Sequence, residues 1–95
     1  MEITASGNNI TIVGNIKSVS DYQQIRSTID SVVATSSSVT INIVDSLSIT
    51  SSVIGYFNKL VLKDKIDLSM KIGNDQLMSL LDDLNLTSVF KARKA

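Results

Sequence analysis

The chain of 95 residues contains no cysteine and no histidine, and it also lacks proline and tryptophan. Without cysteine it has neither a disulfide framework nor thiolate chemistry. Without histidine it lacks the commonest general base and the commonest metal ligand of proteins. These absences argue against an enzyme and against a metal protein. We therefore expect no catalytic residue, no metal and no cofactor.

The chain also has no excess of charge of either sign, because nine Lys and Arg side chains offset nine Asp and Glu side chains. A bulk electrostatic attraction to nucleic acid or to an anionic membrane therefore has no basis. No apolar run approaches the roughly 18 residues that span a bilayer. The first residues do not have the basic-then-apolar layout of a signal peptide. We expect a cytoplasmic protein that neither binds nucleic acid nor inserts into a membrane.

The abundant serine and threonine residues are interleaved with Ile, Val and Leu, and 43% of the chain is hydrophobic. Such a pattern is typical of a folded chain and not of a disordered polar one. A chain of this length can bury one hydrophobic core without disulfides or metals. We find neither a linker nor an internal repeat, so residues 1–95 are predicted to form a single domain.

The spacing of apolar residues predicts strands and helices in the order β-β-α-β-α-β-α. Residues 7–9, Gly-Asn-Asn, predict a turn between the two short N-terminal strands. Ser20 is predicted to cap the first helix, with Gln23 completing a capping box. Asn74 is predicted to cap the last helix, and Asn85 to end it in the left-handed conformation.

This element order predicts an α/β fold built on a mixed sheet of four to five strands. Strands that alternate with helices form parallel pairs joined by right-handed crossovers. Because the helices are few, we expect them to pack mainly on one face of the sheet.

Four segments, taken in chain order, resemble the STAS domain, the fold of bacterial anti-sigma factor antagonists. Residues 12–16 (IVGNI) resemble the family's strand that ends in Gly, a polar residue and an aliphatic one. Residues 41–46 (INIVDS) resemble its central strand, which ends in Asp. Residues 80–90 (LLDDLNLTSVF) are similar to its closing helix and turn, with Asn85 in place of a glycine. The fourth segment, residues 49–57, resembles its strand-to-helix signature.

That signature is usually I-D-S-S-G-L-G-x-L, and residues 49–57 read ITSSVIGYF. In the antagonists, the anti-sigma factor is also a kinase and phosphorylates the first serine of the signature. The resemblance implies that Ser51 is the corresponding position, with Ser52 and Thr50 as alternatives. Two residues depart from the pattern, since Thr50 replaces the Asp and Val53 replaces the first glycine.

The hydroxyl cluster has two interpretations that the residues alone leave open. In the first, Ser51 or Thr50 only caps the following helix, which contributes about 1 kcal/mol. In the second, Ser51 is phosphorylated, which adds about 1.5 to 2 negative charges. The N-terminus of a helix tolerates a phosphate, whereas a partner that covers the loop would be repelled by it.

The predicted partner-binding surface comprises the loop before the second helix and one side of that helix. Apolar residues cover an arc of this helix that is wider than a surface helix needs. The arc either packs deep against the sheet or forms part of a docking surface. The predicted partner-binding residues are Ser46, Ser48, Thr50, Ser51, Ser52, Val53 and Tyr56.

We expect a non-catalytic protein-interaction domain that resembles an anti-sigma factor antagonist and binds an anti-sigma factor with serine-kinase activity. A phosphatase is the partner expected to reverse the modification. One alternative is a STAS-like accessory subunit of a membrane complex for lipid or anion transport, without phosphorylation. Another is a sensor of nucleotides or lipids. An enzyme ranks last, because the chain supplies neither a general base nor an activated nucleophile.

Overall fold

Five strands form one mixed sheet in the computed structural model, which describes residues 1–95. The strands are β1 (Glu2–Ser6), β2 (Asn9–Val13), β3 (Ser38–Ile43), β4 (Asp67–Ile72) and β5 (Ala92–Lys94). Their order across the sheet is their order along the chain. β1 runs antiparallel to β2, and every other pair of neighbours is parallel. The predicted mixed sheet is thus confirmed.

Three helices connect the parallel strands: α1 (Val19–Val33), α2 (Ser51–Leu62) and α3 (Asp75–Asp83). Each helix links one strand to its next neighbour in the sheet. Since such crossovers are right-handed and the strand order advances in one direction, all three helices lie on the same face. This arrangement agrees with the predicted α/β class. None of the helices is both long and apolar enough to cross a membrane.

The hydrophobic core lies between the sheet and the helices. Alternate residues of the parallel strands point toward the helices and are buried, as the period of a half-covered strand requires. The helix residues that meet them recur at helical spacing. The fully buried strand residues include Ile10, Ile12, Ile41, Ile43, Leu68, Met70 and Ile72, and the helix residues include Ile25, Ile29, Val53, Phe57, Leu60, Leu77 and Leu81.

The opposite face of the sheet is polar and carries no helix. Asn42 donates a hydrogen bond from Nδ2 to the carbonyl oxygen of Ile10 at 3.2 Å. The hydroxyls of Thr40 and Ser69 lie 3.3 Å apart across β3 and β4. Polar side chains on this face are partly exposed, so the fold has two layers and not three.

The start of α1 corrects one prediction. Ser18 caps the helix, not Ser20, and its Oγ accepts a hydrogen bond from the backbone N–H of Asp21 at 3.0 Å. The Asp21 carboxylate in turn accepts from the N–H groups of Lys17 and Ser18. These hydrogen bonds lower the pKa of Asp21, and the bond from the Lys17 N–H has the largest effect. A carboxylate accepts such bonds more strongly than the Gln23 amide does, which favours the earlier start.

The other predicted helix ends are confirmed. Asn74 caps α3, and its Oδ1 accepts from the N–H groups of Gln76 and Leu77. Asn85 has a φ of 58°, in the left-handed region. The predicted order ended with a helix and a basic tail, whereas the chain adds the short strand β5 beside β4.

Candidate functional site

Ser46 anchors the loop between β3 and α2 through two hydrogen bonds. The Ser46 side chain is fully buried. Its Oγ accepts from the N–H of Ile16 at 3.1 Å and donates to the carbonyl oxygen of Ser48 at 2.7 Å. Buried hydroxyls need such partners, because an unpaired one is costly. Ser46 therefore ties the loop after β3 to the loop after β2.

Two further hydrogen bonds join the same two loops. The Asp45 carboxylate accepts from the N–H of Gly14 at 2.7 Å. The N–H of Leu47 donates to the side-chain oxygen of Asn15 at 3.1 Å. Asp45, the acidic residue that ends the predicted central strand, thus closes a loop. The backbone that leads into α2 is consequently anchored at several points.

Thr50 is the residue that caps α2. Its backbone is extended, with φ −81° and ψ 156°, and its Oγ1 accepts from the N–H of Val53 at 3.3 Å. Threonine is among the residues that favour this position. The sequence left the cap open between Thr50 and Ser51, and the structure assigns it to Thr50.

Ser51 and Ser52 are the first two residues of α2, and both are exposed. They follow the carboxyl end of β3, at the edge where the parallel strands end. Helix N–H groups in the first turn have no partner within the helix, and the helix dipole is positive there. Of the predicted surface residues, Ser48, Ser51 and Ser52 are therefore accessible, and Thr50 is partly so.

Three residues predicted to contact a partner are instead buried. Ser46 and Val53 are inaccessible to solvent, and Tyr56 is only 4% exposed. Ser46 serves the loop, whereas Val53 and Tyr56 lie on the side of α2 that packs against the core. The apolar arc of α2 is thus largely core, and the predicted partner-binding surface is wrong at these three positions.

Four apolar side chains that the sequence did not assign to the site are exposed at the end of the sheet from which α2 starts. Val13 and Val44 lie at the carboxyl ends of β2 and β3 and are 42% and 47% exposed. Leu47 is 45% exposed in the loop, and Val19 is 72% exposed at the start of α1. Val19 and Leu47 lie on the helix side of the sheet, whereas alternation with the buried Ile12 and Ile43 points Val13 and Val44 to the face without helices.

Two shallow grooves lie at the loop before α2 and at its first turn, and Ser51 lines neither of them. One, of about 280 Å³, lies between the starts of α1 and α2; the other, of about 310 Å³, lies between the loop and α3. Thr50 and Ser52 lie beside the start of α1 in the first groove, whereas Ser48 lies beside α3 in the second. The first is lined by Lys17, Ser18, Val19, Tyr22, Thr50 and Ser52, and the second by Leu47, Ser48, Gln76, Ser79, Leu80 and Asp83.

The buried Tyr56 side chain joins α2 to α1. Its hydroxyl donates to Oδ1 of Asp30 at 2.6 Å, and the Arg26 guanidinium carbon lies 5.7 Å from the centre of its ring. Burial, followed by the hydrogen bond to Asp30, raises the pKa of Tyr56 far above its ordinary value. The phenol therefore stays neutral and keeps its role as a donor.

Tyr56→Phe removes this hydroxyl and tests its contribution. We expect the free energy of unfolding to fall by about 1 kcal/mol, because the lost bond has a charged acceptor but Asp30 is half exposed and can be rehydrated. Urea denaturation measures the change. Tyr22→Phe is the matched control, since its hydroxyl accepts from Arg26 at an exposed position. Equal losses in the two variants would contradict the assignment.

The chain matches no protein-family model, no curated protein and no solved structure. No group of three or more acidic side chains is placed to hold a metal ion. At the start of α2 the accessible groups are the hydroxyls of Ser48, Ser51 and Ser52.

Proposed function

We propose that the chain is a non-catalytic protein-interaction domain, similar to an anti-sigma factor antagonist, which binds an anti-sigma factor with serine-kinase activity. Phosphorylation of Ser51 releases the partner, and a phosphatase restores binding. The observation that carries this proposal is that neighbouring hydroxyl residues have different roles at the start of α2. Thr50 caps the helix, and the exposed Ser51 hydroxyl is free for modification.

The two departures from the antagonist signature are compatible with this role. Thr50 replaces an aspartate but still accepts the capping hydrogen bond from Val53. Val53 replaces a glycine, and its side chain is buried in the core and does not cover the loop. Both substitutions therefore leave Ser51 within reach of a kinase.

The proposed release mechanism is electrostatic. A phosphate on Ser51 faces the positive end of the α2 dipole, so the domain itself tolerates the modification. The same phosphate adds about 1.5 to 2 negative charges to the exposed first turn of α2. A partner that covers this turn must also desolvate the phosphate, which is costly for a charge that gains no partner. Binding fails while the fold is unchanged.

Ser51→Asp and Ser51→Ala baits test the proposal in an extract of the native host. We expect wild type and Ser51→Ala to capture a soluble protein with kinase activity. Ser51→Asp should lose at least tenfold in captured partner, with its melting temperature within a few degrees of wild type. Mass spectrometry identifies the partner and shows whether Ser51 of the native protein carries phosphate.

Ser37→Asp is the matched control, because Ser37 is exposed in the loop before β3, at the opposite end of that strand. We expect it to capture the partner like wild type. Undiminished capture by Ser51→Asp would overturn the charge mechanism. A membrane complex captured by every bait, together with a Ser51 that is never phosphorylated, would instead support an accessory subunit of a transport complex.

A further inference from the structure

We propose that the outer edge of β1 is the interface of a homodimer. In this dimer the β1 strands of two copies pair antiparallel and join the two sheets into one. The inference is independent of the role of Ser51, because it concerns a lateral edge of the sheet and not the ends of its parallel strands.

The β1 edge lacks the features that keep edge strands from pairing. Its residues pair one to one with β2 from Glu2 to Ser6, without a bulge. Four of its five side chains are exposed, and Glu2 carries its only charge. Proteins usually protect an exposed edge with lysine, proline, a bulge or a very short strand. The opposite edge has such protection, since β5 is three residues long and ends in Arg93 and Lys94.

The turn geometry shows which backbone groups of β1 point outward. Gly7 has a φ of 60° and begins a two-residue turn between Ser6 and Asn9. Such a turn makes Ser6 and Asn9 a hydrogen-bonded pair, and bonded and non-bonded pairs then alternate along the strands. Thr4 therefore bonds to β2, whereas the N–H and C=O groups of Ile3 and Ala5 face outward.

With a two-fold axis through Thr4, the outward N–H and C=O groups of Ile3 and Ala5 all find hydrogen-bond partners in the second copy. Ile3 then lies opposite the partner's Ala5, and the two residues exchange both backbone hydrogen bonds. Thr4 lies opposite the partner's Thr4, a cross-strand pair that stabilises sheets. Glu2 lies opposite the partner's Ser6, so the two carboxylates do not meet. In this register the single charge of β1 does not lie opposite its own copy.

The surface beside the edge also suits a second copy. Two grooves, of about 370 and 630 Å³, lie between β1 and α1, and neither is lined by a charged side chain. Residues near a two-fold axis approach their own copies, so a charge there would be repelled by its equivalent. The grooves elsewhere each include a charged residue. The lining shared by the two uncharged grooves is Ser27 and Thr28, with Ser20, Gln23, Gln24 and Ser31 beside them.

Sedimentation of the full chain tests the dimer. We expect wild type to reach twice the 10.3 kDa chain mass as its concentration rises toward about 1 mM, since small interfaces form weak complexes. Thr4→Lys places two ammonium groups on the axis and should weaken association at least tenfold. Thr11→Lys is the control, because Thr11 lies beside Thr4 on the same face. Its two copies would be three strand spacings apart, about 14 Å, and largely screened.

Mixing Thr4→Lys with Thr4→Glu should restore the dimer mass, because opposite charges then meet at the axis. Should circular dichroism show that Thr4→Lys is unfolded, Ala5→Pro replaces it, since the Ala5 N–H is used only between copies. A wild-type chain that stays monomeric throughout the concentration range would overturn the proposal. So would a folded Thr4→Lys or Ala5→Pro variant that associates as strongly as Thr11→Lys.

Discussion

Gly73→Ala is expected to lower the free energy of unfolding by about 3 kcal/mol or more, at the upper end of overpacking effects. A methyl group at position 73 would run into the backbone carbonyl of Val44. The N–H of Gly73 also donates to the carbonyl oxygen of Ile43 at 2.9 Å, which holds the end of β4 beside β3. Neither backbone can move away without breaking the sheet.

Gly55→Ala is the matched control, because it adds the same methyl group where no atom lies within 4 Å. Gly55 sits inside α2, where alanine is favoured over glycine by about 0.5 to 1 kcal/mol. Guanidinium denaturation should therefore show the two variants moving in opposite directions from wild type. Loss of stability in both, or in neither, would contradict the packing described at Gly73.

Phe57→Ala is expected to cost about 3 to 5 kcal/mol. Phe57 is fully buried, and its ring meets that of Phe90 edge to face, with centroids 5.8 Å apart. The contact joins α2 to the segment before β5, so its loss leaves a cavity between them. Domains of this kind have a total stability of about 5 to 15 kcal/mol, and the variant should be close to unfolding.

Thermal unfolding followed by circular dichroism measures the loss. Leu62→Ala is its control, since Leu62 lies in the same helix but is 63% exposed. We expect that variant to stay within about 0.5 kcal/mol of wild type. A comparable fall in melting temperature for both variants would mean that the Phe57–Phe90 contact contributes little.

Most of the fold could be predicted because its elements carry local signals. The hairpin turn at Gly7, the cap at Asn74 and the end of α3 at Asn85 each depend on residues within one turn of chain. β5 has no such signal. It is three residues long, and its pairing with Met70, Lys71 and Ile72 depends on a strand about twenty residues earlier.

Local sequence signals could predict one part of the candidate site but not the other. The exposure of Ser51 follows from its place at a helix start, which the sequence reveals. The burial of Tyr56 does not, because it requires Asp30, a carboxylate 26 residues away on another helix. Ser46 likewise becomes a core residue only through the N–H of Ile16. Side chains with a polar end can belong to surface or core, and distant partners decide which.

The sequential strand order has a consequence for synthesis on the ribosome. Each strand pairs with the one made immediately before it, so no strand must wait for a later one to be inserted between established neighbours. Each parallel pair still has to close a crossover, as between Ile10 and Ile41 or between Met70 and Ala92, and such non-local pairings form more slowly than a hairpin. An emerging chain can therefore extend its sheet step by step, as each new strand follows its crossover helix out of the ribosome.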